Sequence, residues 1–225
     1  MLINTYVGID VSKLTLDVFI RESKLHKQVK NNLSGFNSLL KWLETQTLRS
    51  LDTVLVCFEH TGLYSLPLAL FLEERNMHYS MISPLEIKRS MGITRGKNDL
   101  IDSKRIAEFA FRFKDKVSET KLPAKDIRKV HSLLTLRDKL VTNMKGYAMT
   151  YNETLRTMRK EDFPELFSTY ENMVASLKAE IKKVENAIKT ILKNNLQLWT
   201  SYKLVTSVKG IGFIVASYLI VYTYN

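Results

Sequence analysis

The sequence predicts an α/β domain with a mixed five-stranded sheet and flanking helices, followed by an all-α coiled-coil region. Three observations predict this fold class. Three strand-like segments come first, strands and helices then alternate, and the second half carries apolar residues at helical spacing throughout. Alternation after an antiparallel meander is typical of a sheet that is covered by helices on both faces.

The first three strands are short and closely spaced. Residues 6–12 are rich in Val and Ile, so they are expected to form a central, largely buried strand. Residues 14–20 alternate as a second strand, after a two-residue link at Ser12-Lys13. Residues 27–31 form a charged, edge-like third strand, and Ser34 is the expected N-cap of the helix that follows.

Strands and helices alternate from there on. A fourth strand covers residues 53–59, an apolar helix runs from about Ser65 to Arg75, a fifth strand covers residues 78–83, and Pro84 opens another helix. This is the order of the ribonuclease H arrangement, in which the first and fourth strands lie side by side at the centre of the sheet.

Four carboxylates lie within or at the ends of predicted strands and helices: Asp10, Glu59, Asp99 and Asp102. Asp10 lies in an apolar strand, where an unpaired charge is costly, and Asp99 and Asp102 repel each other at i, i+3 spacing on one helix face. Mg²⁺ prefers carboxylate oxygens, and phosphodiester chemistry commonly uses two cations about 3.5–4 Å apart. The alternatives are a strand-end Asp that accepts from backbone N–H groups and ordinary helix capping by Asp99.

The net charge is +11, and it is unevenly distributed. Residues 103–160 contain 15 Lys and Arg against 6 Asp and Glu, a net +9. A basic block of this kind attracts a phosphate backbone, which favours nucleic acid as a partner. The alternative is a solvated helix face, and an anionic membrane surface is disfavoured because bulky apolar anchors are few.

Other features of the composition exclude several classes of protein. No apolar run approaches the ~18 residues of a membrane span, and the N-terminus has no signal-peptide pattern. Cys57 is the only cysteine, which excludes an intrachain disulfide and a cysteine-built zinc site. A reducing, cytoplasmic setting is expected.

The second half is predicted to be two long helices. An approximate apolar stripe runs through residues 124–159, and Phe163-Pro164 ends it. A cleaner heptad pattern follows, which predicts a coiled coil as an intrachain hairpin or a dimer seam. Its members are Tyr170, Val174, Leu177, Ile181, Val184, Ile188 and Ile191.

A Gly-x-Gly turn at Gly210 and Gly212 separates two apolar helices near the end of the chain. The segment is similar to a helix-hairpin-helix, whose backbone N–H groups can bind phosphate. A tight helix–helix turn is the alternative.

Three blocks of the sequence resemble the RuvC-like DEDD transposases, the bridge-RNA-guided serine recombinases of bacterial insertion sequences. They are residues 7–13 (VGIDVSK), 59–64 (EHTGLY) and 96–103 (GKNDLIDS), and the resemblance covers residues 5–112. It implies a ribonuclease H-like fold and catalytic Asp10, Glu59, Asp99 and Asp102 that hold Mg²⁺, for which Mn²⁺ substitutes. It also implies DNA strand cleavage and exchange guided by a structured RNA. In this family a C-terminal domain carries the catalytic serine, so the chain is expected to be C-terminally truncated and weak or inactive alone.

These considerations divide the chain into a RuvC-like domain (1–115), a basic helical region (116–200) and the start of a C-terminal transposase domain (201–225). A homo-oligomer, dimer or tetramer, is expected through the coiled coil. The alternatives are a self-sufficient two-metal nuclease similar to Holliday-junction resolvases and a non-catalytic RNA- or DNA-binding assembly module. The predicted nucleic-acid contacts are Lys13, Lys97, Lys104, Arg105, Arg137, Lys145, Arg156, Arg159 and Lys209.

Overall fold

Five strands form one mixed sheet in the first part of the chain. The computed structural model describes residues 3–47, 51–91 and 99–223. The strands are β1 (Thr5–Val11), β2 (Thr15–Ile20), β3 (Leu25–Lys30), β4 (Val54–Glu59) and β5 (His78–Ile82). Their order is β3-β2-β1-β4-β5, with β1 antiparallel to β2 and parallel to β4. The predicted sheet, with the first and fourth strands adjacent at its centre, is confirmed.

In the described part of the first unit, four α-helices accompany the sheet: α1 (Leu33–Thr47), α2 (Leu66–Glu73), α3 (Pro84–Met91) and α4 (Asp99–Arg112). The predicted cap of α1 was wrong. The Oδ1 atom of Asn32, rather than Ser34, accepts from the backbone N–H of Gly35 at 3.0 Å. The first turn also differs by one residue, because Ser12 N donates to Thr15 O and the two-residue turn is therefore Lys13-Leu14.

The two faces of the sheet have different partners. Along β1, Val7, Ile9 and Val11 belong to the core that includes residues of α1 and α2. Tyr6, two residues before Gly8, packs on the other face with residues of α4. Because side chains alternate along a strand, Gly8 and Asp10 lie on the α4 face with Tyr6.

Gly8 permits an unusually close approach between β1 and α4. A Cβ atom at this position would lie 2.1 Å from the carbonyl oxygen of Ser103 and 2.3 Å from the backbone nitrogen of Ala107. Both atoms belong to the helix backbone, so α4 would have to move to admit any side chain. The glycine therefore fixes the distance between the helix and the central strand.

The β5 edge of the sheet is covered by the chain that follows α4. Thr120 N donates to Tyr79 O at 2.9 Å, and Met81 N donates to the Thr120 Oγ1 atom at 2.7 Å. The Oγ atom of Ser80 also donates to Ser118 O at 2.8 Å. These bonds satisfy edge groups that would otherwise be open to pairing with another chain.

The chain divides into two compact units, Met1–Leu122 and Pro123–Asn225. The second unit consists of α5 (Lys125–Thr157), α6 (Pro164–Asn194), α7 (Leu196–Thr206) and α8 (Phe213–Thr223). Helices α5 and α6 are antiparallel, since Arg137 pairs with Glu185 and Tyr151 with Glu171. The predicted all-α region is thus confirmed. No helix among the described residues has the length and apolarity needed to cross a bilayer.

The core of the second unit lies where α5 and α6 meet the shorter helices. Its fully buried members include Val130, Leu134, Ile188 and Leu192, and Leu198 of α7 and Ile220 of α8 pack with them. Farther along the α5–α6 pair, apolar side chains become exposed, as for Met149 at 63%. Most buried residues of the helix pair therefore lie at one end, and Phe167 of α6 is fully buried near the other end.

Gly8→Ala is expected to lower the free energy of unfolding by about 3 kcal/mol, because the new methyl group overlaps backbone atoms of α4. Gly146→Ala is the matched control. A Cβ at Gly146 would meet nothing within 4 Å, so this helical substitution is expected to stabilise by about 0.5–1 kcal/mol. Urea unfolding followed by circular dichroism measures both. A Gly8→Ala protein as stable as the wild type would show that α4 is not held this closely.

Candidate functional site

Asp10 and Glu59 lie on adjacent parallel strands at the same end of the sheet. Ile9 of β1 pairs with Phe58 of β4, and each carboxylate is the next residue along its strand. Both side chains are half-buried. The carboxyl ends of neighbouring parallel strands meet at one edge of the sheet, so the fold brings together two acids that are 49 positions apart in the sequence.

Helix α4 contributes the other two predicted carboxylates. Asp99 is its first residue and is exposed, whereas Asp102 is half-buried in the first turn. The contact of Gly8 with Ser103 places this turn over β1. The Arg105 Nη1 atom donates to the Asp102 Oδ1 atom at 2.8 Å, so one cation already compensates part of this charge.

Two of the carboxylates, Asp10 and Glu59, have raised pKa values. Burial, followed by the charges of Asp99, Asp102 and Glu59, raises the pKa of Asp10 from its ordinary 3.8 to about 6. Burial and the charge of Asp102 also raise the pKa of Glu59. All four predicted acids are thus close enough to interact, and their negative charge is incompletely compensated.

Asp17 is a further carboxylate beside this group, and sequence reasoning missed it. It pairs directly with Asp10 in the β1–β2 register and is only 4% exposed. Its two oxygens each accept one hydrogen bond at 2.9 Å, from His26 Nε2 and Gln28 Nε2. Counting outward from the correct Lys13-Leu14 turn would have found the Asp10–Asp17 pair.

Asn31 organises the loops at this end of the sheet and was also missed. Its Nδ2 group donates to Ser12 O at 2.8 Å and to Tyr64 O at 3.0 Å. It therefore links the β1–β2 turn to the segment that follows Glu59. Within that segment, Thr61 N donates to Ser65 Oγ at 3.2 Å, and Gly62 adopts a positive φ of 66°.

The donor chemistry of the cluster suits a hard divalent cation. Carboxylate oxygens are the ligands that Mg²⁺ prefers, and the raised pKa values of Asp10 and Glu59 mark charge that a cation would stabilise. Among the residues that the structure describes, no three His, Cys, Asp or Glu side chains are grouped closely enough to hold an ion. The fit therefore depends on donor type and charge, without a preformed coordination geometry.

The predicted basic residues fall into three groups. Six of them are exposed: Lys13, Lys104, Lys145, Arg156, Arg159 and Lys209. Arg105 and Arg137 are half-buried and ion-paired, the latter with Glu185 at 2.7 Å. Lys97 lies outside the described residues. The structure thus leaves six of these nine side chains accessible to a ligand.

The sheet order and its flanking helices define a ribonuclease H-like α/β protein. The chain belongs to the DEDD transposase family, because the family model DEDD_Tnp_IS110, described as transposase, matches residues 7–160. This membership confirms the resemblance that the three sequence blocks indicated, and it implies DNA as a partner. The comparison with curated proteins gave no match.

Asp10→Asn is expected to stabilise the metal-free protein above pH 6. With a folded-state pKa of about 6 and an unfolded value near 3.8, folding takes up a proton between these limits, so stability falls as the pH rises through this window. Asparagine does not ionise, so the variant does not lose this stability. We expect its free energy of unfolding at pH 8 to exceed that of the wild type by about 1–2 kcal/mol after allowing for solvent screening.

Urea unfolding in EDTA at pH 5, 6, 7 and 8 measures the difference between the two proteins at each pH. Glu44→Gln, which neutralises an exposed carboxylate on α1, is the control and should leave the pH profile unchanged. An Asp10→Asn protein that is less stable than the wild type at pH 8 would contradict the electrostatic interpretation.

Proposed function

We propose that this transposase cleaves and exchanges DNA strands in a Mg²⁺-dependent reaction that a structured RNA guides. The observation that carries the proposal is the convergence of Asp10, Glu59 and the first turn of α4, which contains Asp99 and Asp102, at one end of the sheet. Three separate elements supply these acids, and a structural role for any one of them would not require the others nearby.

Asp10, Glu59, Asp99 and Asp102 are the residues that would hold the ion, and Mn²⁺ is expected to substitute for Mg²⁺. When bound, such ions activate the attacking oxygen and stabilise the leaving oxygen of a phosphodiester. The chain's own contribution is to hold the carboxylates in place. The sheet fixes Asp10 and Glu59, and the ion pair with Arg105 orients Asp102.

Nucleic acid is proposed to bind the exposed cations of the second unit. Three of them, Lys145, Arg156 and Arg159, are exposed on or just after α5, and Lys209 is exposed in the turn before α8. Arg137 is a weaker candidate, because Glu185 and Asp138 already compensate its charge. Binding through such residues should weaken with added salt, since phosphate contacts release counterions.

We further propose that residues 1–115 form a RuvC-like DEDD domain, residues 116–200 a basic helical, coiled-coil region, and residues 201–225 part of a C-terminal transposase domain. No serine within residues 1–225 is assigned as the nucleophile. The turn between α7 and α8 contains Gly210 with φ of 95°, which supports a sharp helix–helix connection there. The proposed phosphate contact at this turn rests on exposed Lys209.

Asp10→Ala is expected to abolish binding of Mn²⁺ at pH 8 while leaving DNA affinity in EDTA unchanged, because the carboxylate serves the ion and not the phosphate backbone. Calorimetric titration with MnCl₂ measures Mn²⁺ binding, and fluorescence anisotropy of labelled duplex DNA at two salt concentrations measures DNA affinity. Glu108→Gln is the control, since Glu108 pairs with Arg21 at 2.6 Å. Unchanged Mn²⁺ binding by Asp10→Ala would favour the non-catalytic binding module.

Scission of supercoiled and branched DNA by the same proteins separates the two enzymatic possibilities. Mn²⁺ binding without scission supports a recombinase that needs a serine nucleophile and a guide RNA. If the wild type cleaves DNA and Asp10→Ala does not, the result would instead favour a water-using nuclease of the resolvase kind.

The chain is also proposed to form a dimer or tetramer through the α5–α6 helix pair. Apolar side chains at the far end of this pair are exposed, with Met149 at 63%, Leu155 at 43% and Phe163 at 46%. Burial of such residues by a second copy would be favourable at roughly 25 cal/mol per Å² of apolar surface.

Met149→Lys combined with Leu155→Lys is therefore expected to shift the protein to monomer, because each lysine would have to be desolvated in the interface. Multi-angle light scattering at several concentrations measures the mass. Leu196→Lys changes an equally apolar residue, 80% exposed, outside the α5–α6 pair and should not alter the mass. An unchanged mass in the double variant would exclude this seam.

A further inference from the structure

A buried carboxylate lies directly opposite Asp10 on the neighbouring strand. Asp17 is paired with Asp10 in the antiparallel register of β1 and β2, which places both side chains on the same face of the sheet. Directly opposed side chains have Cβ atoms about 4.5–5.5 Å apart. Asp17 is only 4% exposed, so water screens its charge poorly.

This arrangement costs stability. Like charges directly opposite each other on adjacent strands are destabilising, and burial of a carboxylate adds a desolvation penalty. Two side chains of β3 offset part of this cost, because His26 Nε2 and Gln28 Nε2 each donate to one Asp17 oxygen at 2.9 Å. The carboxylate is thereby held in one orientation beside Asp10.

The same two hydrogen bonds determine what Asp17 can do. Each of its oxygens already accepts from a side chain of β3, so Asp17 is not arranged as a direct ligand of an ion at Asp10. Its negative charge nevertheless acts on Asp10. The two residues are directly paired in the β1–β2 register, so the buried charge of Asp17 lies beside the Asp10 carboxylate.

We propose that Asp17, fixed by His26 and Gln28, is a positioning residue that strengthens divalent-cation binding at Asp10 from the next strand without coordinating the ion. The inference rests on the proposed function, because it requires that Asp10 hold a cation. A negative charge this close favours the cation-bound form of Asp10 for the same reason that it disfavours the ion-free carboxylate.

Electron paramagnetic resonance titration of the whole chain with Mn²⁺ alone, at pH 8, tests the proposal without reliance on catalysis. Asp17→Asn preserves the shape of the side chain and removes its charge. We expect the dissociation constant for Mn²⁺ to rise about tenfold, the lower end of the effect of outer-sphere partners on metal affinity.

A second variant keeps the test decisive if Asp17→Asn fails to fold. Gln28→Lys, at an exposed position of β3, keeps the Asp17 side chain but replaces one of its two hydrogen-bond donors with an ammonium group. It is expected to weaken Mn²⁺ binding in the same direction. Leu25→Lys adds the same charge to β3 on the opposite face of the sheet, where Leu25 is 40% exposed, and should bind Mn²⁺ as the wild type does.

Asp10→Asn separates failure of this inference from failure of the proposed function. The role of Asp17 is supported if Asp10→Asn abolishes Mn²⁺ binding while Asp17→Asn and Gln28→Lys weaken it. Wild-type affinity in both of those variants, with binding lost in Asp10→Asn, overturns that role alone. Wild-type affinity in Asp10→Asn overturns the cation site at Asp10 and the role of Asp17 together.

Discussion

The close contact between α4 and β1 at Gly8 is the constraint on which the rest of the first unit depends. Because no side chain separates them, the backbone of α4 around Ser103 and Ala107 lies directly on the central strand. Ile106, Phe109 and Ala110 then pack with Leu55 and Cys57 on this face. Burial of each large apolar side chain contributes roughly 1.5–3 kcal/mol, which holds the helix against the repulsion among the acids at its first turn.

The carboxylate cluster lies on a sheet whose other face is largely apolar. Asp10 alternates with Ile9 and Val11, which are buried against α1 and α2. The same strand therefore supplies core contacts on one side and costly charge on the other. Sites that bind charged ligands commonly reduce stability in this way, and binding of a cation to the folded state alone would restore it by mass action.

The element order of the first unit could be predicted, because hydrophobic alternation is visible in the sequence. The proximity of Asp10 to Glu59 followed from that order, because the first and fourth strands are adjacent in the ribonuclease H arrangement. The turn, the helix cap and Asp17 could not be predicted. Lys13-Leu14 carries no glycine or asparagine signal, and Asn32 and Ser34 are both acceptable caps. A one-residue error in the turn shifts the strand register, so counting outward from Ser12-Lys13 would not have paired Asp10 with Asp17.

The distribution of charge across the sheet explains why the site lies over β1. Asp17, Asp10 and Glu59 occupy one end of three adjacent strands, and Gln28 continues the row on β3 without charge. The most negative point is therefore at the centre of the row, beneath the first turn of α4. A helix N-terminus carries a partial positive charge, and Asp99 and Asp102 lie within it. The helix dipole and Arg105 thus compensate part of the repulsion. Burial, together with the remaining repulsion, raises the pKa of Asp10, and the uncompensated charge is what favours a cation.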